Sequence, residues 1–158
     1  MPKYWWVNHK QTLRQEIDGQ YLWSPKSSKG GARNQFYDNM RLASPGDIVM
    51  SFANGQIGWI GRVAEFAFTA PKPAEFGDVG AYWDHEGWLL PVYWTELIPP
   101  VRPKAMIQQL GPLLPQKYSP ISALSGNGYQ NAYLASVPPE VFEIIAAEAA
   151  FSRDALAR

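Results

Sequence analysis

The chain reads as an α+β domain built on a curled sheet or small barrel, and three observations lead there. Five or six short runs rich in aromatic and β-branched residues recur along the sequence, an Asn54-Gly55 pair joins two of them as a hairpin, and two or three short amphipathic stretches lie between them.

Lys3 to Asn8 (KYWWVN) is a strand by composition. Leu13 and Ile17 lie four apart with Gly19 just beyond, the pattern of one short helix with a glycine stop. Tyr21 to Pro25 (YLWSP) is a second strand ended by proline, followed by the small-residue loop KSSKGGAR with three cations. Asn34 is placed to cap a helix in which Phe36 and Met40 share a face. Asn54-Gly55 then separates two alternating runs, because both turn positions accept positive φ cheaply. Ile48, Met50 and Phe52 share one face of the first strand, and Ile57, Trp59, Gly61 and Val63 share one face of the second. Gly58 and Gly61 inside that strand predict close approach by another backbone or a sharp bend.

Residues 69–86 form a long Pro/Gly-rich loop, and loops longer than about 12–15 residues inside a compact domain tend to be functional. Trp88 to Trp94 returns to a strand, with Pro91 marking a bulge or an edge. Arg102-Pro103 opens a helix running to Leu110 and stopped by Gly111. Tyr118 to Gln130 is loop, Ala132 to Val137 a strand, and Pro138 to Arg158 one helix by its periodicity. A single domain over 1–146 is expected, with 147–158 as the end of that helix or the start of a linker.

Composition narrows the function. Charged residues make up 18% of the chain and aromatic residues 14%, including seven Trp, against about 25% charged in an ordinary domain. With no cysteine there is no disulfide, thiol nucleophile or Cys-based zinc site, and two histidines are too few for a His-rich metal site. No cofactor is expected. No apolar run approaches a membrane span and the N-terminus lacks a signal-peptide shape, so the expected location is cytoplasmic, without membrane contact.

The formal net charge is zero, but it is sorted into blocks. Residues 1–62 carry net +4, 63–100 net −5, 101–139 net +3 and 140–158 net −2. Binding responds to the local field of one face, so the total leaves room for a phosphate-binding surface while excluding an indiscriminate basic binder.

GARNQFYDNM followed by SPGDIVMSFANGQIGWIGRVAE is similar to the signature of EVE domains, members of the PUA-like group: a Gly-x-Arg-Asn helix start, then Pro-Gly-Asp-x-Val, then a Gly-rich hairpin strand. The YLWSP strand and Trp83 also resemble the related YTH domains. The resemblance covers most of residues 3–145. It implies a PUA-like (EVE/YTH-type) small curled β-barrel flanked by short helices, which reads a flipped, modified base (methylated or hydroxymethylated cytosine, or methyladenine) in double-stranded DNA. The best match within the group is the reader module of modification-dependent HNH restriction endonucleases. This chain lacks an HNH motif and would be the non-catalytic specificity domain, with a nuclease domain beyond it. A reader of modified RNA or tRNA is the alternative.

By position, Trp23 matches the first aromatic wall of such a pocket and Trp83 the second, with Tyr82 and Asp84 flanking it. Ser24, Asn8 and His9 fall where the group contacts base edges. Trp5, Trp6, Trp59, Trp88 and Trp94, on strands, are expected in the core. Lys26, Lys29 and Arg33 follow the Trp23 strand and are expected at the pocket rim on phosphates, with Lys117 opposite. Ser125, Asn127, Gln130 and Asn131 form a small polar loop suited to probing a groove or filling the gap left by a flipped base. A less favoured reading is a small hydrolase using Asp84 and His85, weakened because adjacent loop residues usually point apart.

Overall fold

The computed structural model describes residues 1–152 except Tyr82, Asp84 and His85. Seven strands and four short helices are present among them: β1 (Tyr4–Asn8), α1 (Leu13–Gly19), β2 (Tyr21–Pro25), α2 (Gln35–Leu42), β3 (Ile48–Ala53), β4 (Gln56–Val63), β5 (Phe68–Pro71), β6 (Glu86–Val101), α3 (Ile107–Leu110), β7 (Leu134–Val137) and α4 (Pro139–Glu148). The strand order is β2-β6-β4-β3-β1-β7, with β5 also paired to β6. β1 and β3 run parallel, and every other pair is antiparallel. The result is a curled α+β half-barrel of the PUA-like kind.

β1 is buried along nearly its whole length because both of its faces are covered. Tyr4 and Trp6 join the cluster under α4, with Ile48, Met50, Phe142 and Ile145. Trp5 and Val7 join the opposite cluster with Val49, Val92 and Met40 of α2. Burying an indole requires a partner for its N–H. Trp5 donates to Asp47 Oδ2 at 3.0 Å, and Trp6 donates to Asn8 Oδ1 at 3.0 Å. Asp47 also accepts from the backbone N–H of Lys3 and of Ser44, both at 2.9 Å. The aspartate of the Pro45-Gly46-Asp47 turn is thus a clamp on the first strand.

The Asn54-Gly55 turn has both central residues at positive φ, 55° and 79°, as a twist-matched hairpin requires. Asn34 caps α2, its Oδ1 accepting from Phe36 N at 2.9 Å and Tyr37 N at 3.3 Å. Both match expectation.

Other expectations change. Strict alternation along β4 fails because the register slips where Phe52 pairs Ile57 and Ser51 pairs Trp59, leaving Gly58 unpaired in a bulge. Ile57 and Ile60 therefore share a cluster with Met50, while Val63 faces the other side. Gly61 is the true close approach: a Cβ there would lie 2.4 Å from Val92 Cγ1. The first part of the long loop is β5, added to the edge of β6. β6 is far longer than its apolar run, because it changes partners at Pro91. Its first half pairs with β2 and β5, its second half with β4.

Gly19 ends α1 from within, and Gln20 takes the left-handed cap position at φ 59°. Gly19 is required instead by the Tyr21 ring, which a Cβ would meet at 2.2 Å. Gly111 continues in right-handed helical geometry, and its missing Cβ leaves room for the carbonyl of Ala123. α4 stops at Glu148, where Ala150 turns left-handed and Phe151 N donates back to Ala146 O at 2.8 Å. Trp5 and Trp6 are buried as expected, whereas Trp59, Trp88 and Trp94 are only half-buried.

Candidate functional site

One large cleft, about 1350 Å³, opens where the end of β1, the loop before α2, the hairpin tip and the 118–133 segment converge. Small-molecule pockets occupy roughly 300–1,000 Å³, so this cleft has room for more than one small group. Seven aromatic side chains line it: Phe36, Tyr37, Phe52, Trp83, Tyr118, Tyr129 and Tyr133. Lys10, Lys29, Arg33 and Lys104 line it too, and no Asp or Glu does among the described residues. A chain of zero net charge has gathered four cations here.

The floor is set by a buried carboxylate. Glu16 Oε1 accepts from the Thr12 hydroxyl at 2.8 Å and meets His9 Nδ1 at 2.8 Å. Its Oε2 accepts from the backbone N–H of Trp23 at 2.7 Å and from the Tyr133 hydroxyl. Four partners fill the four acceptor positions of the carboxylate. His9 Nε2 lies 2.6 Å from Ser51 Oγ, so placing the imidazole hydrogen on Nδ1 lets Ser51 donate to Nε2 and satisfies every group. Burial, and then the Glu16 charge, push the Tyr133 phenol well above its usual range, so it stays a donor. Burial also raises Tyr37.

The 118–131 segment is fastened to β1 by Asn8, whose Nδ2 donates to Pro120 O at 2.8 Å. Tyr118 sits at φ 63°, a region an aromatic residue rarely occupies, and its ring meets Phe36 edge-on at 5.9 Å.

Of the residues singled out by sequence, the cleft brings together Asn8, His9, Lys29, Arg33, Trp83, Asn127, Gln130 and Asn131. Asn8 and His9 face it with their polar atoms already engaged, so they shape the wall and leave little to offer a base edge. Arg33 pairs with Asp38 at 3.1 Å yet is 90% exposed, an arrangement that holds it only weakly.

Trp23 is a correction. It is 1% exposed, its Nε1 donates to Ala70 O at 3.1 Å, and it packs with Tyr21, Phe76 and Trp83 in a separate small core. Its ring centroid is 6.2 Å from that of Trp83. A flat base between two rings needs two contact distances, about 7 Å in all. The gap is therefore closed, and Trp83 reaches the cleft lining with Trp23, Phe76 and Gly80 packed against its ring and the Lys72 ammonium 6.0 Å from it.

Ser24 is likewise buried, its hydroxyl donating to Pro25 O at 2.9 Å. Lys26 turns away from the cleft, donating to Thr69 Oγ1 at 2.7 Å with its ammonium 4.3 Å from the Trp88 ring centroid. Lys117 lies beside the lining as a cation 5.1 Å from the Tyr118 ring, and Ser125 points into its own loop, accepting from Asn127 N at 3.1 Å. Tyr82, Asp84 and His85 lie outside the described residues. Sequence reasoning missed Lys10, Lys104 and six of the seven rings. Tyr118 and Tyr129, bracketing a loop already flagged as functional, carried the only local signal.

Fold and cleft together define a PUA-like α+β domain with a cationic, aromatic groove. No family model matches the chain, and no curated protein matches it by sequence. Solved structures do match its fold. The N-terminal domain of McrB from Staphylothermus marinus aligns at TM-score 0.61 with 12% identity, covering 93% of this chain and 94% of that one. The Pho92 YTH domain, solved in complex with m6A, aligns at 0.55 with 10% identity over 96% of this chain and 87% of its own. Human THYN1, solved in complex with 5-methylcytosine-containing DNA, aligns at 0.56 with 10% identity over 95% of this chain and 99% of its own. At these identities the likeness establishes the shared fold.

Proposed function

We propose that this domain binds nucleic acid and holds one modified base in the cleft, acting as a reader with no chemistry of its own. The carrying observation is the lining: four cations, seven rings and no carboxylate among the described residues, in a chain of zero net charge. Rings accept a flat base by stacking, worth about 1–3 kcal/mol per contact, which offsets the few kcal/mol needed to unstack it. Lys10, Lys29, Arg33 and Lys104 take the flanking phosphates, and Asn127, Gln130 and Asn131 supply amides for base edges or the opposing strand. His9, Glu16 and Ser51 form a hydrogen-bonded array, but all three are buried at 3%, 0% and 1% exposure, so the Ser51 hydroxyl is closed to a substrate, which supports binding over catalysis.

The two fold neighbours solved with modified bases, one with m6A and one with 5-methylcytosine DNA, support the ligand class. In our reading the substrate is duplex DNA, and the domain serves as the specificity module of a modification-dependent HNH nuclease. The test is a tryptophan-fluorescence titration with matched oligonucleotides carrying methylcytosine, hydroxymethylcytosine or methyladenine, in duplex DNA and in single-stranded RNA. Preference for one modified duplex over its unmodified form is expected. Trp83→Ala should erase that preference while the domain stays folded, and Trp23→Ala should chiefly destabilise the domain. Equal affinity for modified and unmodified strands of both kinds would overturn the reading, and preference confined to RNA would replace DNA with RNA.

A further inference from the structure

We infer that Leu124 is a wedge that enters the base stack of duplex DNA beside the nucleotide taken into the cleft. The inference rests on the base-reading function proposed above.

Leu124 is 91% exposed, three residues after the fully buried Ile121. Leaving a leucine in water forgoes the stabilisation that its burial would bring. The loop that carries it is nevertheless tightly built. Ser122 Oγ accepts from Leu124 N and Ser125 N, both at 3.2 Å, Ser122 N donates to Asn127 O at 2.8 Å, and Gly126 N donates to Ser122 O at 2.9 Å. Ile121 and Gly128 bridge the base of the loop. The finger is also seated from below, because Gly126 lies against Lys104 and Ala123 against Gly111, each so closely that a Cβ on the glycine would collide.

This is a preorganised apolar tip: its ordering is complete before any ligand arrives, so contacts made by Leu124 are not spent on fixing the loop. Position adds the second argument. Gly126 to Asn131 line the cleft, and Leu124 is two residues away, within about 7 Å along the chain. That distance is about two base steps at 3.4 Å per step along one strand. Lys104, under the finger and on the cleft wall, places a cation where the strand would pass. Apolar side chains inserted between base steps are an established way of unstacking a duplex. The lone leucine is ringed by Ser122, Ser125 and Asn127, which suits a base step better than a broad apolar partner surface.

The test compares wild type, Leu124→Ala and Leu124→Met on a duplex with one central modified base and on the same strand alone, for each of the three modifications named above. The expected result is a loss of about tenfold in duplex affinity for Leu124→Ala, unchanged affinity for the single strand, and near-wild-type behaviour for Leu124→Met. Fluorescence of a 2-aminopurine next to the modified base should rise on binding wild type and rise less with the alanine variant. Unchanged duplex affinity in Leu124→Ala, or equal losses on both forms, overturns the wedge and leaves the base-reading function standing. A wild-type protein that favours the modified base only in single strands also overturns the wedge alone. No preference in either form overturns both.

Discussion

Glu16 and Tyr133 lie 117 residues apart in sequence and meet in a direct hydrogen bond beneath the cleft, the phenol donating to a carboxylate with no solvent exposure. The same carboxylate engages His9, Thr12 and the Trp23 backbone, so one side chain ties α1 to β1, β2 and the far wall.

Replacing Glu16 by Gln keeps the shape but turns two acceptor positions into donors that face donors. Leaving a buried donor without its acceptor costs about 1–3 kcal/mol. Chemical denaturation of Glu16→Gln should show a loss of that order, with midpoint lowered and slope retained. A loss under about 1 kcal/mol would mean the four bonds contribute little beyond packing.

The raised Tyr133 phenol sets a pH dependence. In the unfolded chain a phenol ionises near ~10, whereas in the folded protein it holds its proton to higher pH. The folded state binds that proton more tightly, so the stabilisation is complete below about pH 10 and falls as pH rises above it. Tyr21, raised by burial and by Glu75, acts in the same direction. In Tyr133→Phe, unfolding free energy should decline less steeply above pH 10 than in wild type. Parallel curves would show that Tyr133 ionises normally.

Gly61 and Gly58 stand three residues apart on β4 and should respond differently to alanine. At Gly61 the new methyl meets Val92 at 2.4 Å and the Trp94 ring at 2.7 Å, both on the neighbouring strand. Overpacking of this kind destabilises by about 1–3 kcal/mol. At Gly58 nothing lies within 4 Å, and the residue sits in a bulge without positive φ. Thermal melts should show Gly58→Ala close to wild type and Gly61→Ala clearly lowered.

The cations separate by position. Lys10→Ala and Lys29→Ala, on the cleft, should each weaken modified and unmodified nucleic acid about equally and reduce the slope of log affinity against log salt by about one. Lys26→Ala, turned toward Thr69 and Trp88, should leave the slope unchanged. A slope lowered as much by Lys26→Ala would move the phosphate path to the β5–β6 side.

Several features of this fold were legible without coordinates because their causes are local. Asn54-Gly55 reads as a hairpin wherever it sits between alternating runs, since positive φ is a property of those two residues. Asn34 reads as a cap because its side chain satisfies N–H groups two and three positions on. The length of β6 was not legible: Pro91 looks like an end, and only the exchange of β2 for β4 as partner lets the strand continue. The bulge at Gly58 was hidden for the same reason, since a slip in register belongs to a pair of strands.

The site divides along the same line. Residue types and their order carried the α+β class, the resemblance to PUA-like domains and the basic blocks beneath a zero total, and they pointed to the 118–131 loop as a candidate. They offered Trp23 and Trp83 together as the two walls of one pocket, with Trp83 the weaker match. Three-dimensional packing separated them: Gly87 and Ala70 accept the Trp23 ring into a small core, while Trp83, packed against that core, also lines the cleft. It also drew Lys10 and Lys104, 94 positions apart, onto one cleft that no Asp or Glu lines among the described residues. Burial and electric field depend on distance through space, and no local pattern in a chain encodes which of its distant side chains will share a surface.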